Sequence, residues 1–207
     1  MNLSSSNTYR TKKIIMRFTK KQTTRGLLVF SALVPLLLWG SSSRKNQSIN
    51  TSGEIGDPFP TLKAETLSRK TVVFPTDLRG KANILILVFK QDAQRLVNTW
   101  ADIILDEYEP QVEITYHEVP MISTLYKPIG WQIDNWMRGG IPDQWHDNTA
   151  TFYGDRGPYY EQLNMTEQRS CYVFVLDDKG TIRYRAEGPK SLEAEKEFRE
   201  AVATLIN

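Results

Sequence analysis

The sequence predicts an α/β domain, on three observations. A continuous apolar run of strand length, Asn83-Ile-Leu-Ile-Leu-Val-Phe89, is followed by an apolar helical stripe and then by an alternating strand. A second apolar run, Cys171-Tyr-Val-Phe-Val-Leu176, meets Thr181-Ile-Arg-Tyr-Arg185 across Asp177-Asp-Lys-Gly180, which has hairpin-turn chemistry. A final helix closes the chain.

The elements follow in order. Asp57-Pro-Phe-Pro60 is an extended entry fixed by its prolines. Leu62 to Phe74 alternates loosely and holds one or two short strands around Ser68-Arg69-Lys70. Asp77 to Lys81 is a turn. The Asn83–Phe89 run suits a central strand buried on both faces. Asp92 is placed to cap the next helix. Ala93, Leu96, Val97, Trp100, Ile103 and Ile104 recur at three- and four-residue steps, one apolar stripe. Val112 to Val119 alternates, with Val112, Ile114 and Tyr116 on one face. The helix between the two strands makes them parallel neighbours. Residues 120–168 are less regular. Ile122 to Met137 reads as largely helical, interrupted near Pro128-Ile-Gly130 and broken at Gly139-Gly140-Ile-Pro142. Ser191 caps the last helix, with Phe198, Ala201, Val202 and Leu205 as its core stripe. A parallel βαβ half, an antiparallel hairpin and a C-terminal helix make up the thioredoxin-like plan. It is assigned to residues 54–207.

The first quarter has a different character. No acidic residue precedes Glu54, while nine of the chain's 26 basic residues lie there, so the remainder carries 17 basic against all 24 acidic residues. An acidic domain repels phosphate backbones, which excludes nucleic acid as the expected partner. Residues 1–25 form a basic N-terminal region. Residues 26–40 are apolar, inside a stretch of 18 uncharged residues between Arg25 and Arg44. A bilayer core needs about 17–20 helical residues, so this reads as an N-terminal transmembrane or signal-anchor helix. The long basic region before it favours a retained anchor over a cleaved signal, and its acid-free Arg, Lys, Ser and Thr also suit a mitochondrial presequence. The positive-inside rule puts the domain on the non-cytoplasmic side of a single-pass membrane protein, with the bacterial envelope the favoured setting and the mitochondrial inner membrane the alternative. Residues 41–53 are small and polar, a linker.

Cys171 is the single cysteine, which excludes an intrachain disulfide, a CxxC pair and a cysteine-based metal cluster. A peroxidatic or thioredoxin-type thiolate would stand at the start of the first helix, where the helix dipole lowers its pKa. That place reads Phe89-Lys-Gln-Asp-Ala-Gln-Arg95, without cysteine. No catalytic residue, cofactor or metal site is therefore assigned. His117, with Glu113 and Glu118 nearby, reads as a solvated or hydrogen-bonded strand face.

Several strings then matter in their order. They are Phe74-Pro-Thr-Asp-Leu-Arg-Gly-Lys81, Val97-Asn-Thr-Trp100, Gly140-Ile-Pro-Asp-Gln-Trp-His-Asp147, Phe152-Tyr-Gly-Asp155, Leu163-Asn-Met-Thr, Tyr172 to Asp177, and Gly180-Thr-Ile-Arg-Tyr184 with Gly188. Together they resemble the mitochondrial ATP synthase assembly factor family. The resemblance implies a redox-inactive, thioredoxin-like assembly or chaperone factor without enzymatic activity. Its implied partner is a membrane-complex subunit, that of the ATP synthase proton channel.

The aromatic-rich insert offers candidate partner contacts: Trp131, Trp136 and Trp145, with His146 and Asp147. Two other functions stay open at this point. One is a thiol-dependent oxidoreductase or peroxiredoxin-like protein using Cys171 with a partner. The other is a periplasmic binding module for an unknown ligand.

Overall fold

The computed structural model describes residues 53–108 and 113–207. The basic region, the apolar run 26–40 and all of the linker but Gly53 lie outside the described residues. Among the described residues, no helix is long and apolar enough to cross a membrane.

Seven strands form one mixed sheet in the order β2-β1-β5-β4-β3-β6-β7. They are β1 (Leu62–Thr66), β2 (Thr71–Phe74), β3 (Ala82–Val88), β4 (Ile114–Ser123), β5 (Ala150–Gly154), β6 (Cys171–Leu176) and β7 (Ile182–Glu187). The helices are α1 (Gln94–Ile103), α2 (Gly130–Gly140), α3 (Gly157–Gln162) and α4 (Leu192–Ile206).

β3 is buried along its whole length, as its unbroken apolar run predicts. It pairs parallel with β4 and antiparallel with β6. Successive side chains point to opposite faces, so β3 feeds two cores. Ile84, Ile86 and Val88 pack under α1 and α4 with Val97, Trp100, Phe198 and Val202. Leu85 and Leu87 pack on the other face with Phe59, Phe74, Phe152 and Phe174. Ser191 caps α4 as expected, its hydroxyl accepting from the Ala194 N–H at 3.1 Å.

The β6–β7 turn is held by one carboxylate. Asp177 accepts from the N–H groups of Lys179 (2.9 Å) and Thr181 (2.8 Å) and pairs with Arg183 at 2.7 Å. Gly180 closes the turn at φ +79°, a left-handed position that suits glycine.

Three features depart from the sequence reading. Asp92 does not cap α1. A 3₁₀ turn over Gln91–Ala93 precedes the helix, so Asp92 lies inside that turn, and its carboxylate lies 3.8 Å from Arg169. β4 continues past Val119 to Ser123. The β3 ladder ends at Val88 opposite Pro120, which has no N–H to extend it, and β5 then pairs with β4 from Met121 opposite Phe152. The third is β5 itself. It joins β4 in parallel and β1 antiparallel, and so ties the β1–β2 hairpin into the main sheet.

Candidate functional site

A concavity opens where the β3 ladder ends and α1 begins. This is the place where a redox member of the fold would carry its thiol. The cavity holds about 350 Å³. Val88 from β3 and Phe89 just after it, Pro120, Met121 and Ile122 from β4, and Ile133, Trp136 and Met137 from α2 give it apolar walls. Lys90, Gln91, Gln94 and Glu118 are its main polar members.

Glu118 is the residue that strand reading missed. It is 3% exposed rather than solvated. Its side chain shares the β4 face of Ile114 and Tyr116, which points into the core beneath α1. The same alternation that marked that face carries on to position 118, which was the available signal. Gln94 Nε2 donates to its carboxylate over a long 3.4 Å. Burial pushes the carboxyl up to about 7, against the weaker opposing pull of the Gln94 and Tyr116 hydrogen bonds. The Tyr116 hydroxyl is pushed up well above its ordinary value by its burial and by the Glu118 charge.

The five expected contact residues separate into two groups. Trp131 and Trp136 are 64% and 71% exposed on α2, and Leu125, Tyr126 and Ile129 are exposed on the 3₁₀ segment just before it. Trp145 is instead 5% exposed and packs with Leu67 and Ile141 in a small satellite core. The 3₁₀ turn Asp143–Trp145 rolls the indole inward. His146 Nε2 lies 2.9 Å from the Ile141 carbonyl, and Asp147 pairs with Lys70 at 2.9 Å. These two residues fix the loop to the body and are not an acid–base pair. Trp145, His117 and Asp147 line a second cavity of about 220 Å³ at the start of β4.

Cys171 is fully buried at the start of β6, its thiol donating to the Gly188 carbonyl at 3.2 Å. Burial pushes the thiol up to about 12. A nucleophilic cysteine must be a thiolate and accessible, and this one is neither. Native protein is expected to leave a small aromatic disulfide reagent unreduced at pH 8, and the thiol to titrate fully only in denaturant. Rapid modification of the folded chain would contradict that assignment.

Among the described residues, no group of three or more His, Cys, Asp or Glu side chains could hold a metal ion. The site offers an apolar pocket, one buried acceptor and the exposed Trp136 at its edge. That is binding chemistry.

Comparison with known proteins agrees with the fold. A proposed thiol:disulfide interchange protein DsbE from Chlorobium tepidum superposes with a TM-score of 0.50 at 12% identity, covering 75% of this chain and 100% of that one. A proposed protein disulfide isomerase from Bacteroides thetaiotaomicron gives 0.50 at 12% identity, covering 74% and 91%. At such identities the likeness is one of fold, and the fold is thioredoxin-like. In sequence, the chain is 28% identical over 145 residues to the mitochondrial ATPase complex subunit ATP10 of Candida glabrata, covering 65% of this chain and 52% of that protein. The chain thus spans about half the length of this curated relative. The model of the ATP10 protein family matches residues 57–205, nearly the whole described domain, and the chain belongs to that family.

Proposed function

We propose that this protein is a non-enzymatic assembly factor that holds an apolar membrane subunit of a larger complex, ATP synthase being the complex implied. The family match across residues 57–205 carries this reading. The chemistry of the site supports it. The helix start that bears the thiol in redox members of the fold reads Lys90-Gln-Asp-Ala93 here. Cys171 is buried and held neutral, which disfavours the thiol-dependent alternative.

Trp131 and Trp136 form the client-facing surface in this proposal. Large exposed aromatic side chains supply much contact area at little conformational cost. The apolar run 26–40 is the tether, and it keeps the domain at the membrane where such a client emerges. The relative's name favours the mitochondrial inner membrane over the bacterial envelope as the setting.

The test is deletion of the gene in its native cell, followed by native electrophoresis of membrane complexes. Assembled ATP synthase is expected to fall while unrelated membrane complexes persist. Re-expression of C171S should restore it, and the W131S/W136S double variant should not. Normal ATP synthase in the deletion strain would refute the proposal.

A further inference from the structure

The pocket at the β3–α1 junction has a polarity that a general apolar surface would not need. Its walls are apolar, yet Glu118 lies buried among them. An ionised carboxylate can accept about four hydrogen bonds. Two side-chain donors are placed to reach it, Gln94 Nε2 at 3.4 Å and the Tyr116 hydroxyl, which leaves about two acceptor positions. The Glu118 N–H itself is spent on the Asn148 carbonyl at 2.8 Å. Acceptor capacity is thus left over in a buried place, where an unmet acceptor is costly. Lys90 stands at the mouth of the same pocket. Its charge opposes entry of a cationic head and leaves a neutral donor as the matching group.

The apolar lining does not stop at the rim. Trp136 belongs to both pocket and surface, and the exposed side chains Trp131, Ile129, Tyr126 and Leu125 continue from it along one piece of chain. A cavity of about 350 Å³ is at the small end of ligand pockets. A small molecule would fill it without using the adjoining ridge. An apolar stretch of polypeptide would use both, seating one or two large side chains in the cavity and laying the rest over the tryptophans.

We propose that the Glu118 pocket docks an apolar segment of a partner protein and selects one that carries a neutral hydrogen-bond donor, an amide or hydroxyl, which Glu118 accepts. This rests on the assembly-factor reading for the source of the segment. The chemistry of selection is the pocket's own. A buried acceptor admits a segment that satisfies it and penalises one that covers it without doing so.

The experiment uses the purified full chain in detergent micelles and two fluorescent membrane-type peptides. Both consist of leucine and alanine between terminal lysines. One has a single central asparagine, and the other has leucine there. At pH 8, where the carboxyl is ionised, the asparagine peptide is expected to bind about tenfold more tightly, the ratio one hydrogen bond to a buried charged group supplies. E118L fills the same space without an acceptor and should bring the ratio to one. W136S should weaken both peptides alike. Because E118L removes a buried acidic group, it is not expected to unfold the domain, and its melting curve checks this. Equal binding of the two peptides by the unaltered chain would overturn the proposal, as would a preference that survives E118L. Loss of the assembly reading would show instead in the deletion strain, whatever the peptide ratio.

Discussion

Replacing Trp100 by alanine is expected to destabilise the domain by about 4 kcal/mol, the largest single-residue effect among the sites described. Trp100 is fully buried at the middle of the α1 stripe. Its ring meets Phe198 at 5.7 Å and Tyr184 at 6.3 Å between centroids. It therefore joins α1 to α4 and β7 across the core. Its Nε1–H donates to the Gly188 carbonyl at 2.9 Å. The truncation would lose the transfer energy of the indole, leave a cavity that these packed rings cannot close, and remove that hydrogen bond. Trp100→Phe keeps most of the volume and should lose roughly half as much. Thermal or denaturant unfolding measures both. The pocket should suffer along with stability, because Gln94 at the start of the same helix reaches Glu118. A Trp100→Ala variant within 1 kcal/mol of the unaltered protein, an approximate limit for well-tolerated core changes, would mean that α1 does not rest on this contact.

The elements that sequence made legible were those whose period was long and unambiguous. β3 is a seven-residue apolar run, and the α1 stripe repeats over three turns. The Asp177–Gly180 turn and the Ser191 cap carry their own side-chain chemistry. β5 was not legible, because it has five residues, one of them a threonine, and follows directly on another, Thr149. Those hydroxyl-bearing positions are buried through their partners. Thr151 donates to the Glu65 carbonyl at 3.2 Å, and the neighbouring Thr149 donates to the Trp145 carbonyl at 3.3 Å. Trp145 was not told apart from the exposed tryptophans for a related reason. Aromatic residues in an irregular segment give no periodicity to say which way they face, so Trp131, Trp136 and Trp145 read alike and divide only in three dimensions. Glu118 was hidden by its own charge, since a glutamate in an alternating strand is ordinarily assigned to water. Its parity with Ile114 and Tyr116 said otherwise.

That buried glutamate and the histidine before it are expected to give the domain an unusual pH profile. They sit on opposite faces of β4. Burial raises Glu118 from an ordinary 4.5 to about 7. The groups near it are Tyr116 on its own strand, Gln94 on α1, Lys90 at the pocket mouth and Cys171 on β6. Burial lowers His117 from 6.5 to about 4, with Asp147 pulling weakly the other way, and its ring stands edge-on to Phe74 at 5.1 Å. Between pH 4.5 and 7 the folded chain keeps a proton on Glu118 that the unfolded chain has released. The stability linked to Glu118 is complete below 4.5 and is lost as pH rises through 7. Between pH 6.5 and 4 the unfolded chain binds a proton at His117 that the folded chain refuses. That contribution is complete above 6.5 and is lost as pH falls toward 4. Each slope approaches 1.4 kcal/mol per pH unit, an order-of-magnitude figure. The slopes have opposite signs over the shared window and largely cancel. Glu118→Gln should therefore expose the histidine: stability would climb from pH 4 to 6.5 and then level off. At pH 8 it should exceed the unaltered protein by roughly 2–3 kcal/mol, with little difference at pH 4. His117→Leu should expose the glutamate, with stability falling steadily from pH 4.5 to 7. Chemical denaturation at half-unit pH steps on the three proteins measures this directly. A Glu118→Gln profile parallel to that of the unaltered chain would show that the carboxyl titrates normally in the fold. A divergence confined to the alkaline side of pH 5 would show that the pocket holds a proton-bearing carboxyl at neutral pH. Such a group accepts a docked donor through its carbonyl oxygen while protonated and more strongly once ionised, so docking of a donor should favour loss of the proton.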